Sequence, residues 1–114
     1  MKIWKSSTAD TKFSEFIRDR DKKCVRCGGT KNLQCSHFWS RTHSATRYDP
    51  DNCDTLCYSC HYGNSKGWEY DQPGEYRNFK IKQLGISRYQ ELEEKHRQFK
   101  ERRKAILECM ELLK

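Results

Sequence analysis

The sequence predicts a small α+β domain held together by a metal ion. Three observations carry this: only 34% of the 114 residues are hydrophobic, two Cys-x-x-Cys pairs enclose a spacer of 29 residues, and two short strand patterns lie between helical ones. A chain this short and polar builds a thin core, and a metal staple is a common supplement.

Charge comes next. The net charge is +7 and the pI near 9.1, which points to a polyanionic partner, nucleic acid ahead of a membrane surface. Solubility alone is the plain alternative. No stretch is apolar enough to span a bilayer, and the first 21 residues lack the apolar run of a signal peptide. The expectation is a reducing cytoplasm with no membrane partner, where paired cysteines mean metal rather than disulfides. Seven cysteines leave Cys35, Cys53 and Cys109 outside the pairs. These read as small buried hydrophobes.

Along the chain, residues 1–10 are polar, with Ile3 and Trp4 able to pack back. A helix is expected from Asp10 or Thr11, with Phe13, Phe16 and Ile17 at helical spacing and a charged outward face through Arg18, Asp19, Arg20 and Asp21. Residues 32–39 alternate as a strand, with Leu33, Cys35 and His37 on one side and Gln34, Ser36 and Phe38 on the other. A loop carrying Arg41, His43 and Arg47 follows, then a turn at Asp49, Pro50, Asp51 and Asn52. A second strand covers residues 53–56. A helix is expected from His61, weakened by Gly63 and Gly67. Another is expected over residues 75–84, ended by Gly85. Last comes a long C-terminal helix from Ser87, whose Tyr89, Leu92, His96, Phe99, Arg103, Ile106, Met110 and Leu113 recur in threes and fours. That seam serves either its own domain or a homodimer. The division expected is residues 1–85, the stapled domain with its N-terminal helix, and residues 86–114, the C-terminal helix.

Cys24, Cys27, Cys57 and Cys60 have the spacing of a four-cysteine Zn²⁺ site. A two-residue gap lets both sulfurs of a knuckle reach one ion at about 2.3 Å. A closed site of four thiolates is structural. The spacer is longer than the 15–20 residues of a plain zinc ribbon, so the insert houses something else.

The insert and its flank present His37, Asn52 and His61 in that order. The pattern of a strand histidine, a loop asparagine and Cys-x-x-Cys-His resembles the HNH, or ββα-metal, nuclease motif in zinc-stapled form. Residues 16–21, the Cys24 to Gly28 knuckle, Ser36-His37-Phe38 and the nine-residue step from Asn52 to His61 are similar to the phage NinG (Rap) recombination endonuclease family. The resemblance covers about residues 13–95.

That resemblance implies a metal-dependent DNA endonuclease, phage-encoded and acting on branched recombination DNA in the cytoplasm of the bacterial host. It implies that His37 is the general base, that Asn52 braces the loop, and that His61 binds a catalytic Mg²⁺ or Mn²⁺. Imidazole chemistry suits such a base at neutral pH. The residue before the base is commonly an acid or histidine that ligates the metal; here it is Ser36. Asn64, one turn after His61, ranks first to complete the shell, ahead of Ser65, Asp49, Asp51 and His43. Arg41, Arg47 and Lys66 are the candidate DNA-binding residues. The alternatives are a nicking or packaging nuclease of the same type, a non-catalytic zinc module that binds DNA or protein, and a small regulator dimerising through its C-terminal helix.

Overall fold

The computed structural model describes residues 2–63 and 65–114. Helix α1 (Ser6–Asp21) begins before the expected cap and buries Ala9, Phe13 and Ile17, one residue per turn. It ends at Lys22, whose backbone is left-handed (φ 65°) and whose N–H reaches the Arg18 carbonyl. Its last turn is not the purely solvated face the charges suggest. Arg20 donates to the carbonyls of Pro50 (3.0 Å) and Cys53 (2.8 Å), and Asp21 accepts the amide of Thr55 (2.9 Å). The helix end is thereby tied to the edge of the sheet.

That sheet has two antiparallel strands, β1 (Leu33–His37) and β2 (Cys53–Cys57), with His37 opposite Cys53 and Leu33 opposite Cys57. The alternation of side chains separates two buried clusters. On one face, Cys53 packs with Ala9, Phe13 and Ile17 of α1, with Tyr48, and with Cys35 at the margin. On the other, Leu56 packs with Cys24, Cys60, Trp68 and Tyr76. Leu33 joins this second cluster rather than the Cys35 side, because the strand begins beside the knuckle.

Between the strands lie the short α2 (Ser44–Arg47) and a 3-10 turn, Pro50–Asn52. After β2 comes a single helical turn, α3 (Tyr58–His61). The helix expected to start at His61 therefore ends there. The chain turns back along α3, with the amides of Trp68 and Glu69 donating to the carbonyls of Cys60 (2.8 Å) and His61 (3.2 Å). Gly67 makes this return fit: a Cβ there would lie 2.6 Å from the His61 carbonyl oxygen and 2.7 Å from Tyr62 backbone.

Helix α4 (Pro73–Leu84) covers the second cluster and brings a buried polar group with it. Lys80 and Asp54 are both fully buried and 3.0 Å apart. Gln83 donates to the other Asp54 oxygen (2.9 Å), and the Tyr76 hydroxyl sits between Asp54 (3.1 Å) and Ser36 Oγ (3.2 Å). Every polar atom of the ion pair's carboxylate has a partner, which is the condition for burying such a pair.

The single long C-terminal helix is not observed. Two helices, α5 (Ile86–His96) and α6 (Arg102–Leu112), are separated by residues 97–101. The reason is packing in two directions. Tyr89 of α5 contacts Phe38, and His96 stacks flat on Trp39 with centroids 3.6 Å apart. α6 instead returns to α1, burying Ala105, Ile106 and Cys109 in the first cluster. No straight helix reaches both. Tyr89, Leu92, Ile106, Met110 and Leu113 of the expected seam thus face the protein's own body, while Phe99 at the bend is 80% exposed.

Candidate functional site

Groups of metal-binding character flank α3, whose last two residues, Cys60 and His61, turn to different sides. The first contains Cys24, Cys27, Cys57 and Cys60, whose sulfurs all lie within 4.8 Å of one another. Cys27 and Cys57 sulfurs are 3.8 Å apart, against about 3.8 Å for the edge of a tetrahedron with 2.3 Å arms. The knuckle shapes itself for this. Gly28 adopts φ +80°, and the amides of Cys27 and Gly29 point at the sulfurs of Cys24 (3.5 Å) and Cys27 (3.4 Å). Burial would raise the Cys24 thiol, but the amides of Cys27, Cys57 and Arg26 outweigh it and bring it to about 7. Burial and the neighbouring sulfurs push Cys60 far up. Four crowded thiols cannot all ionise without a cation among them, so the donor set fits Zn²⁺.

Arg26, between the two cysteines of the first knuckle, straps this side together. It donates to the Cys60 and Lys66 carbonyls, pairs with Glu75 (3.1 Å) and lies over the Trp68 ring. It carries no motif signal in the sequence.

His61, the residue after Cys60, opens on a cleft of about 500 Å³. Its walls include Asp10 and Phe13 of α1, Gln34, Cys35 and His37 of β1, Arg41 of the loop, and His61, Glu69 and Tyr70. His37 and His61 therefore face one cleft. His37 donates Nε2–H to the Arg47 carbonyl at 2.8 Å, which leaves Nδ1 as the basic nitrogen. Burial pushes its pKa down to about 4, against the pull of that carbonyl, so the ring is neutral at physiological pH.

Asn52 holds the loop that supplies the carbonyl. Fully buried, it accepts the Trp39 amide (2.8 Å) and donates to the carbonyls of Trp39 (2.9 Å) and Thr46 (3.1 Å). It ties Trp39, two residues past the end of β1, to the residue before Arg47.

His61 is buried, and its Nδ1–H donates to Gln34 Oε1 at 2.8 Å. This fixes the tautomer and turns the Nε2 lone pair outward. Glu69 Oε2 lies 2.7 Å from that Nε2 and is shielded from solvent. The His61 ring holds the Glu69 carboxyl below its usual range, against its burial. That separation suits an imidazolium Nε2–H donating to the carboxylate, and equally a cation held by the two groups. An octahedral ion with arms of about 2.1 Å places adjacent ligand atoms about 3.0 Å apart, close to the spacing here. His61 and Glu69 are thus the fitting donors for a hard divalent cation. Glu69 was not a candidate from the sequence, because eight residues separate it from His61 and only the return through Gly67 brings them together.

The remaining candidates fall as follows. Arg41 is 60% exposed at its side chain and 3.7 Å from Asp10. Arg47 is buried and engaged: its guanidinium grips Asp10 at 2.7 and 3.0 Å and donates to the Arg41 carbonyl. These contacts hold the Asp10 carboxyl below its usual range despite burial, which acts oppositely. Lys66 is exposed but does not line the cleft. Asn64 lies outside the described residues. Ser36 is fully buried on the far side of β1, against Tyr76, and does not approach the cleft. Asp49 pairs with Lys95 and Asp51 with Arg88, while His43 meets the edge of His96.

A family model described as Bacteriophage Lambda NinG protein matches residues 2–114. Neither the curated proteins nor the solved structures give a match. The matched span takes in both knuckles, both cleft histidines and all six helices, and on that basis the chain belongs to the NinG family.

Proposed function

We propose that the protein is a metal-dependent DNA endonuclease of the HNH type, phage-encoded and acting on branched or recombination DNA. One observation carries the reading: a neutral histidine with one nitrogen anchored to a backbone carbonyl shares a cleft with a histidine–carboxylate pair shaped for a hard cation. The order β1, β2, α3 that delivers these groups is the ββα order of that nuclease type.

In this reading His37 Nδ1 takes the proton of the attacking water. The Arg47 carbonyl orients the ring, and Asn52 orients that carbonyl through Thr46. A base so placed contributes about 10²–10⁴-fold to rate. His61 and Glu69 would hold Mg²⁺ or Mn²⁺, which supplies positive charge to the phosphate oxygens when bound. Arg41, the exposed cation of the cleft wall, binds the phosphate on its other side. Tyr62 and Tyr70 line the same cleft, 41% and 75% exposed, and offer faces on which bases can stack.

The test is cleavage of four-way junction, matched linear duplex and supercoiled plasmid with Mg²⁺ and with Mn²⁺. Cutting that disappears in His37→Ala, with the fold retained, supports the reading. A wild-type protein inert on every substrate and metal removes it in favour of a non-catalytic zinc module.

A further inference from the structure

We propose that Cys35, His37 and Cys53 form a second site for a soft, thiophilic cation, separate from the four-cysteine cluster and from the His61–Glu69 pair. One ligand atom from each lies within 4.8 Å of the other two. The strand register produces this: His37 stands opposite Cys53, and Cys35 is two residues earlier on the same face. None of the three donors belongs to the four-cysteine cluster or to the His61–Glu69 pair. Both thiols lie outside the knuckles, and the Arg47 carbonyl engages only Nε2 of His37.

Access is provided by the cleft. Cys53 is fully buried, but Cys35 and His37 line the cleft wall, so an ion reaches the trio from that side. Closing the ligand atoms onto a tetrahedral ion requires separations of about 3.8 Å, a shift within the reach of side-chain rotation. Two thiolates with an imidazole select Zn²⁺, Co²⁺ or Cu⁺ and reject Mg²⁺. Binding releases the thiol protons to solvent, and a cleft water completes the shell. Without the ion the same side chains are ordinary core, packed against Phe13 and Ile17.

The consequence rests on the nuclease reading. An ion here ligates His37 through Nδ1, the nitrogen assigned to the base, so it blocks cutting while the staple stays intact.

Full-length protein with zinc in its four-cysteine site is titrated with Co²⁺, and zinc retention is followed in the same samples. The expected result is an added cobalt per chain with a sulfur-to-cobalt charge-transfer band. That band is lost in Cys35→Ser and Cys53→Ala and kept in Glu69→Gln. A band that survives both cysteine variants, or cobalt binding with no sulfur band, overturns the site. If Cys53→Ala does not fold, Cys35→Ser at the cleft wall decides alone. In cleavage assays, zinc added beyond the staple suppresses cutting, and Cys35→Ser needs about tenfold more for the same effect. A chain that cuts nothing yet shows the band removes the nuclease reading and leaves this site standing. A chain that cuts but shows no band does the reverse.

Discussion

Cys60 and His61, the last two residues of α3, turn to opposite uses. Cys60 turns into a ring of four sulfurs packed with Leu56, Trp68 and Tyr76. His61 turns to an open cleft where a nitrogen meets a carboxylate. Soft donors in a closed set hold an ion for good, whereas hard donors with free positions hold one that substrate can also reach. The contrast teaches that a single helical turn joins a cysteine cluster fit for a structural metal to the cleft. Damage at the cysteines should unfold the protein, and damage at the cleft histidines should leave it folded.

The largest effect expected is at the staple. Cys57→Ser, or a strong chelator, should abolish the far-UV helical signal, since structural zinc contributes about 10–16 kcal/mol of apparent binding energy that doubles as folding energy. A melting curve unchanged by either would erase the distinction drawn above. Next is the Asp54–Lys80 ion pair, on the far side of the sheet from His37. Asp54→Ala leaves Lys80 charged and buried, and should cost about 3–5 kcal/mol in chemical denaturation; a loss below 1 kcal/mol would mean that the pair is not closed to water. At the cleft, His37→Ala should lower cleavage about 10²–10⁴-fold, while its melting temperature stays close to wild type. Glu69→Gln should raise the Mn²⁺ concentration for half-maximal cleavage about tenfold or more, and isothermal titration should show the same weakening without DNA.

The smallest effect is in pH. The folded pKa of His37, about 4, lies below the ordinary 6.5 of the unfolded chain. As pH falls below 6.5, the unfolded state takes up a proton that the folded state refuses. Stability from this residue is therefore complete above 6.5 and is lost progressively down to about 4. Denaturation midpoints of wild type and His37→Asn should converge across that window. Parallel curves would mean that the ring titrates normally.

What the sequence disclosed follows from distance along the chain. Cys24 with Cys27, and Cys57 with Cys60, are local patterns whose geometry a two-residue gap dictates. The strands around them alternate visibly, and His37 and His61 stand out by their offset from the knuckles. What stayed hidden depends on long-range approach. Glu69 reaches His61 only because Gly67 has no Cβ, which would lie 2.6 Å from the His61 carbonyl oxygen. Arg47 looks like a free loop cation until α1 delivers Asp10 to it. The bend at 97–101 has no proline or glycine to announce it, and the apolar repeat runs straight across it. Its cause is that α1 and Phe38 lie in different directions.

The adjacency of Cys60 and His61 carries a consequence for the life of the chain. If the four sulfurs hold zinc, that ion pins down the same turn that aims the imidazole, so a polypeptide leaving the ribosome would form its cleft only once the ion is bound. Zinc supply in the cell would then act as the licence for whatever the cleft does, and a starved cell would accumulate chains that are whole in sequence but unfolded at the cleft.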